Sequence, residues 1–246
     1  MKVSRRGKQT GRKERSTFGE NAKTILIALV IALFIRTFFV QAFRIPSGSM
    51  EDTLLIGDFL LVDKITYGAK FPGTNWRLPG LRQPRRGDIL VFKDPRTNRD
   101  FIKRCIAVGG ETIEVRENQV FIDGKPLEEP YKVLKWVPGV ARENYGPRHV
   151  PEGTLFMMGD NRNNSQDSRY WNELDIHRVV GRAFVLYWSA DTEKAPGWLA
   201  QVPDSPVPLR GILSLFLGRP RFKRIGTWLA KDYSSVYREG FAAETP

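Results

Sequence analysis

A chain of 246 residues with a formal net charge of +12, 41% hydrophobic side chains and one cysteine is long enough for one sizeable domain. It is too short for two large domains, and it can form no intrachain disulfide. With only His149 and His177 beside Cys105, no metal-ligand cluster stands at a recognisable spacing, so neither metal nor cofactor is expected. The excess charge does not imply nucleic acid, because Lys and Arg are not interleaved with aromatics on one module; no nucleic-acid partner is expected.

Much of that charge lies at the two ends. Residues 1–23 carry Lys2, Arg5, Arg6, Lys8, Arg12, Lys13, Arg15 and Lys23 against only Glu14 and Glu20, the positive-inside pattern of a cytoplasmic leader. The apolar run Ile25–Phe43 follows. As a helix it spans about 28 Å, near the hydrocarbon thickness of a bilayer, so residues 24–43 are expected to form one transmembrane anchor. Arg36 inside the run costs roughly 2.5 to 3.5 kcal/mol at mid-bilayer, and less if its long side chain snorkels to the outer surface. Two rival readings stand beside the anchor. Ile25–Ile35 has the length of an export-signal core and Val40-Gln41-Ala42 resembles its cleavage site; a buried helix of a soluble domain is the other, opposed by the eight basic residues before the run.

Beyond the anchor, short alternating or apolar runs are separated by Gly, Pro, Asn and Asp, which is strand chemistry. Phe59–Val62, Ile89–Phe92, Phe101–Val108, Thr112–Val115 and Val179–Trp188 are the expected strands of a mainly β, antiparallel domain over residues 44–203. Residues 118–126 read as a hairpin, since Asp123-Gly124 supplies the positive φ angles of a type I′ turn. The polar, Pro- and Gly-rich stretch 117–152 suggests a small inserted subdomain. Residues 204–246 form a basic tail: Leu209–Leu217 is apolar but too short to span, and Arg219, Arg221, Lys223 and Arg224 follow. Such a tail either rests on anionic lipid or stays solvated.

A serine hydroxyl is a weak nucleophile until a base takes its proton. Ser47-Gly48-Ser49 lies just past the apolar run, both histidines sit in ordinary polar contexts, and neither G-x-S-x-G nor S-x-x-K occurs in the chain. A Ser/Lys dyad remains. At a reference pKa of ~10.4 only about one lysine in 2,500 is neutral at pH 7, so the base must be buried to lower its pKa. Lys103, between Phe101-Ile102 and Ile106, is suitably placed. Gly159-Asp160-Asn161 opens a turn-rich segment. In its continuation Asp167 and Arg169 are two residues apart, so in an extended segment they share a face and can pair. Cys105 follows Lys103 by two and falls on the same strand face; a small buried filler explains it without a role.

Taken in order, the apolar run, Ile45-Pro46-Ser47-Gly48-Ser49-Met50, Gly87-Asp88, Asp100-Phe101-Ile102-Lys103-Arg104, and Gly159-Asp160-Asn161 with Ser165, Asp167, Ser168 and Arg169 resemble the bacterial type I signal peptidases over roughly residues 25–189. The resemblance implies a partly open barrel-like catalytic domain on the outer face of the inner membrane. It would cut signal peptides from exported preproteins after Ala-x-Ala sites through an acyl-enzyme. By the same resemblance Ser49 is the nucleophile, Lys103 the general base, Ser47 Oγ and the Ser49 N–H the oxyanion hole, Ser165 the lysine-orienting hydroxyl, and Arg104–Asp160 a second structural pair. An extended substrate would lie between Phe43–Ser47 and Asp100–Lys103, with Phe43, Ile45, Met50, Leu54, Phe101 and Ile102 lining shallow pockets. The chain departs from the usual pattern at Glu51-Asp52, where Met-x-Pro-Thr-Leu is common, and at Asn163, where Asp is usual. A self-cleaving repressor-type protease shares the dyad but needs a DNA-binding domain where this chain has a leader and a span. A membrane-anchored binding module predicts that replacing Ser49 or Lys103 leaves function intact.

Overall fold

The structure, a computed structural model, describes residues 17–71, 73–74, 76–135, 143–191, 218–231 and 233. Helix α1 (Thr17–Phe38) precedes β1 (Val40–Arg44), β2 (Asp58–Asp63), β3 (Ile89–Lys93), β4 (Asp100–Val108), β5 (Thr112–Arg116), β6 (Gln119–Ile122), β7 (Lys125–Pro126), β8 (Tyr145–His149) and β9 (Thr154–Met158). A single-turn helix α2 (Ser168–Trp171) leads to β10 (Leu174–Asp175), the long β11 (Val179–Asp191) and β12 (Arg219–Pro220). The main sheet runs β1-β2-β11-β3-β4-β9-β10 with β12 on β11, and a second sheet runs β7-β6-β5-β8. Every pairing between these strands is antiparallel.

The helix ends where the sheet begins. Residues 40–43 were expected to continue the anchor, but they belong to β1, which pairs with β2 from Val40↔Asp63 to Arg44↔Phe59. A helix is satisfied by its own backbone, whereas the β-favouring Val40 and Phe43 gain a partner strand by leaving it. Arg36 therefore stands in the last turn, at the end of the span and not at its middle. The candidate span Glu20–Phe38 has a mean hydropathy of 1.7 and is 0% buried, which overturns the buried-helix reading. Val40-Gln41-Ala42 lies inside a paired strand, so a cut there would sever β1 from its own C-terminal half.

All five expected strands are present, each extended by one to three residues, and β1, β8 and β9 are further strands. β8 contains Pro147, tolerable because the strand is at a sheet edge. In the β6–β7 hairpin Asp123 and Gly124 have φ of 50° and 79°, as a type I′ turn requires. A second two-residue turn at Glu117 (φ 47°) and Asn118 (φ 69°) joins β5 to β6. Residue 117, where an inserted subdomain was expected to start, thus falls in the turn between β5 and β6 of the second sheet, and that sheet shares a core with the first: Ile113, Val115, Val120 and Ile122 lie in one apolar cluster with Ile106, Phe156 and Met158 of the main sheet.

The tail also departs from expectation. Leu209–Leu217 lies outside the described residues, but residues 218–231 return to the fold. β12 pairs with the end of β11, and Leu229, 6% exposed, enters the cluster of Met50, Leu54, Leu60 and Leu186. Arg224 donates to Asp58 Oδ2 at 2.6 Å and to the Thr53 carbonyl at 2.9 Å. Asp58, 0% exposed, also accepts from Ser189 Oγ at 2.6 Å and Leu55 N–H at 2.8 Å. Arg224→Ala removes the nearer cation from this buried carboxylate, leaving Arg221 at 3.9 Å, and is expected to cost about 1–3 kcal/mol. Denaturant unfolding of the detergent-solubilised protein checks it; a change below about 0.5 kcal/mol, ordinary for a surface site, would show the strap to be ornamental.

Candidate active site

Three strands separate β1 from β4 in the main sheet, yet the sheet curls until the segment after β1 meets β4 across its inner face. There Ser49, in a short turn over Gly48–Met50, receives a hydrogen bond from Lys103 Nζ at 2.6 Å. Both are buried, at 7% and 4% exposure. Lys103 belongs to a strand buried along most of its length, with its ammonium 5.5 Å from the Phe101 ring centroid. Loss of water is the largest influence on the amine and lowers its pKa to about 8, against the opposing pull of Asp167 and Asp160; Arg169 assists the lowering. At that value about one lysine in ten is neutral at pH 7, some two hundredfold more than for a free amine.

The segment after β9 clasps the serine turn. Asn161 N–H donates to the Ser49 carbonyl at 3.1 Å, and Asn161 Nδ2 to the Gly48 carbonyl at 3.1 Å and Glu51 Oε2 at 3.2 Å. A Cβ on Gly159 would overlap both Ser165 Oγ and the Ser49 carbonyl oxygen, so the close approach of the two segments requires glycine there. Thr53 Oγ1 donates to Asp160 Oδ2 at 2.7 Å, and Asp160 accepts two bonds from Arg104, at 2.8 and 2.6 Å. Arg104 is 1% exposed, donates to the Gly87 carbonyl at 2.8 Å, and stacks on Tyr131 at 3.8 Å from the ring centroid. Asp167 accepts Gly159 N–H at 3.0 Å and two bonds from Arg169, each 2.8 Å. Carboxylate and guanidinium thus alternate around the base of the dyad, and none of these charged groups faces solvent.

A family model described as signal peptidase, peptidase S26, matches residues 18–188, taking in the helix, the serine turn, Lys103 and the Asn161 clasp. The chain belongs to the peptidase S26 family. It is 40% identical over 184 residues to "Signal peptidase I" of Leptolyngbya laminosa, covering 72% of this chain and 82% of that one. To "Signal peptidase I" of Aquifex aeolicus it is 33% identical, covering 82% and 95%. To that of Pseudomonas aeruginosa it is 34% identical, covering 69% and 72%. This S26 peptidase is accordingly a serine endopeptidase of the signal peptidase I kind, with a mainly β antiparallel domain behind one apolar helix.

Within this S26 peptidase, Ser49, Lys103, Ser165, Arg104, Asp160, Asp167 and Arg169 all converge on one region. The Asp167–Arg169 pair has a different geometry from the extended segment expected: Asp167 caps the N-terminus of α2 and Arg169 sits in its first turn. Ser165 Oγ is buried against Gly159 next to the Ser49 carbonyl but has no hydrogen-bond partner among the described residues, and the Lys103 amine is held by Ser49. Ser47 is exposed and its side chain caps nothing. Of the six apolar residues expected to line pockets, Phe43, Phe101 and Ile102 remain partly exposed. Ile45, Met50 and Leu54 are 2%, 0% and 0% exposed and form the floor beneath the site. They sink because the turn after β1 folds back over the barrel interior, a turn no strand periodicity announces.

Other participants had weaker sequence cues. Arg162 pairs with Glu129, just beyond β7, and donates to the Gly159 carbonyl at 3.0 Å. Asp88 binds Arg82 at 2.7 Å, Arg182 at 2.9 Å and Tyr67 Oη at 2.7 Å. The departures from the family pattern also find their place. Asp52 has φ of 72°, which proline, locked near −65°, cannot adopt. Asn163 Nδ2 donates to the Lys135 carbonyl at 2.8 Å, and Lys135 in turn pairs with Glu51 at 2.6 Å. Cys105 is 0% exposed among Leu90, Phe92 and Met157.

Proposed function

We propose that this chain is a membrane-anchored endopeptidase that removes signal peptides from exported preproteins after Ala-x-Ala sites, using a Ser49/Lys103 dyad and an acyl-enzyme. The observation that carries the reading is the 2.6 Å contact between a buried lysine amine and a buried serine hydroxyl. Neutral Lys103 takes the Ser49 Oγ proton as Oγ attacks the scissile carbonyl. The oxyanion forms near the Ser49 N–H and the free Ser47 hydroxyl. The Lys103 ammonium protonates the departing amine, and the neutral amine then deprotonates the water that releases the acyl group and restores Ser49. By the family resemblance, Ser165 is the hydroxyl that accepts from the ammonium form.

β1 is an edge strand, and β4 pairs with β9 only from Arg104 onward. An extended substrate therefore has two free backbone edges to join, at β1 and at Asp100–Lys103. With Ile45, Met50 and Leu54 already buried in the floor, the remaining apolar wall is shallow, which favours small side chains. The orientation follows from charge and length: N-terminus in the cytoplasm, one span, catalytic domain on the outer face of the inner membrane, with lipid bilayer and preprotein as partners and no nucleic acid.

Because the base must be neutral, precursor cleavage is expected to rise about tenfold per pH unit below the lysine pKa of about 8 and to level off above it. Single-turnover cleavage of an Ala-x-Ala precursor between pH 5.5 and 9.5 tests this. A flat profile over that range would remove Lys103 from the role of base.

A further inference from the structure

At the outer end of α1 the helix meets the β-domain through aromatic rings. Phe38 packs on Phe71 with centroids 5.0 Å apart, and Phe71 on Trp76 at 4.4 Å. Trp76 stays 60% exposed, an amphipathic ring at the level where headgroups begin if α1 spans the bilayer. Beside these rings lies a cleft of about 1120 Å³ bounded by the end of α1, by Lys64, Lys70, Phe71 and Arg77, and by the start of β11.

The cleft is electrically one-sided. Arg36, Lys64, Lys70, Arg77, Lys93 and Arg178 line it against Asp100 and Asp175. Lys93 is answered by Asp100 at 2.9 Å, and Asp175 is occupied in accepting His177 N–H at 2.7 Å. Among the described residues Arg77 has no such answer: its guanidinium donates to the backbone carbonyls of Tyr67, Gly68, His177 and Val179. Lys64 likewise donates to the Arg36 and Thr37 carbonyls, at 3.1 and 3.3 Å, capping α1. Burial and then the neighbouring Arg36 push the Lys64 amine's pKa down, with Asp100 opposing. Arg36, Lys64 and Arg77 thus face one cavity without a carboxylate in ion-pair contact among the described residues.

We propose that this cleft binds the phosphate-bearing headgroup of an anionic phospholipid in the leaflet at the outer end of α1. A phosphodiester supplies the negative charge these cations lack: its two non-bridging oxygens accept from the Lys64 ammonium and the Arg36 guanidinium, while Arg77, whose terminal N–H groups already meet carbonyls, adds its charge. The acyl chains have an apolar path along Leu33, which lines the cleft at its helix side, and past Phe34, 54% exposed. A free phosphate meets the same cations but leaves that apolar wall unused, which is why lipid is the assigned source. The assignment rests on α1 spanning the bilayer and is independent of the dyad chemistry.

The test uses the full chain in neutral-detergent micelles, following the thermal midpoint during titration with dihexanoyl phosphatidylglycerol, dihexanoyl phosphatidylcholine or glycerol phosphate. Phosphatidylglycerol is expected to raise the midpoint saturably while the other two leave it unchanged, and Arg36→Gln/Lys64→Gln should weaken the apparent affinity at least tenfold. If that pair of changes prevents folding, Arg178→Gln, outside α1 and its cap, is read the same way. Equal shifts with both lipids overturn the proposal, as does a full shift with glycerol phosphate alone, which would mark a free-phosphate site. Lost precursor cleavage in the variants with an intact phosphatidylglycerol shift would assign the cleft to the substrate path instead. Carbonate extraction of membranes reports separately whether α1 anchors the chain.

Discussion

Ser49→Ala and Lys103→Met, each alone, are expected to lower cleavage of an Ala-x-Ala precursor by at least about 10³-fold, because in the proposed mechanism nucleophile and base act as one unit and removing either forfeits nearly the whole contribution. Lys103→Arg should be equally inactive, since a guanidinium stays protonated and cannot accept the serine proton. The stability effects run the other way. Holding Lys103 with its pKa lowered from 10.5 to about 8 destabilises the folded chain by about 3 kcal/mol. The sign follows from protonation: below about pH 8 the lysine is charged in both folded and unfolded chains and the folded one bears the full desolvation cost. That cost fades as the pH rises from about 8 toward 10.5. Lys103→Met should therefore be inactive yet more stable than the parent at pH 7, a combination that misfolding cannot produce. An inactive variant that is less stable would point to a structural lysine, and activity surviving Ser49→Ala would sink the dyad.

Asp160→Ala is expected to lose about 3–5 kcal/mol of stability, because it leaves a guanidinium that is 1% exposed without its carboxylate. Tyr131 and the Gly87 carbonyl remain as neighbours of Arg104, but neither neutralises its charge. Activity should suffer separately, since Thr53 Oγ1 donates to the same carboxylate and so ties the segment after Ser49 to the Asn161 loop. The pH profile supplies a further check. The Asp160 charge raises the Lys103 pKa, so its removal should move the rising limb of the rate to lower pH. The double change Arg104→Met/Asp160→Leu should recover much of the stability, because it removes the buried charge along with its partner. A loss below about 1 kcal/mol for Asp160→Ala, by denaturant unfolding, would mean that the pair is not desolvated in solution.

The apolar run, the serine turn, the lysine strand and the Asp160–Arg169 segment are each local patterns, and local patterns are legible in a sequence. Strand chemistry around Ile89 and Phe101, and the positive φ of Asp123-Gly124, follow from side-chain branching and backbone sterics within a few residues. So does the candidate dyad by elimination, since the chemistry of a serine with no suitable histidine leaves few bases. The end of the anchor was not legible: Val40 and Phe43 are as apolar as the helix before them, and only pairing with β2 turns them into a strand. Nor was the burial of Ile45, Met50 and Leu54, which depends on a turn folding over the barrel interior. The C-terminal strap was hidden for the same reason, because Arg224 and Asp58 are 166 residues apart and no local rule couples them. Residue types and order along the chain therefore determined the fold class, the presence of an apolar N-terminal helix and which side chains are candidates for the chemistry. The 2.6 Å meeting of Ser49 and Lys103 and the dry surroundings that lower the amine's pKa were decided by the closure of the sheet, because distance and desolvation are properties of the packed chain and of no single segment.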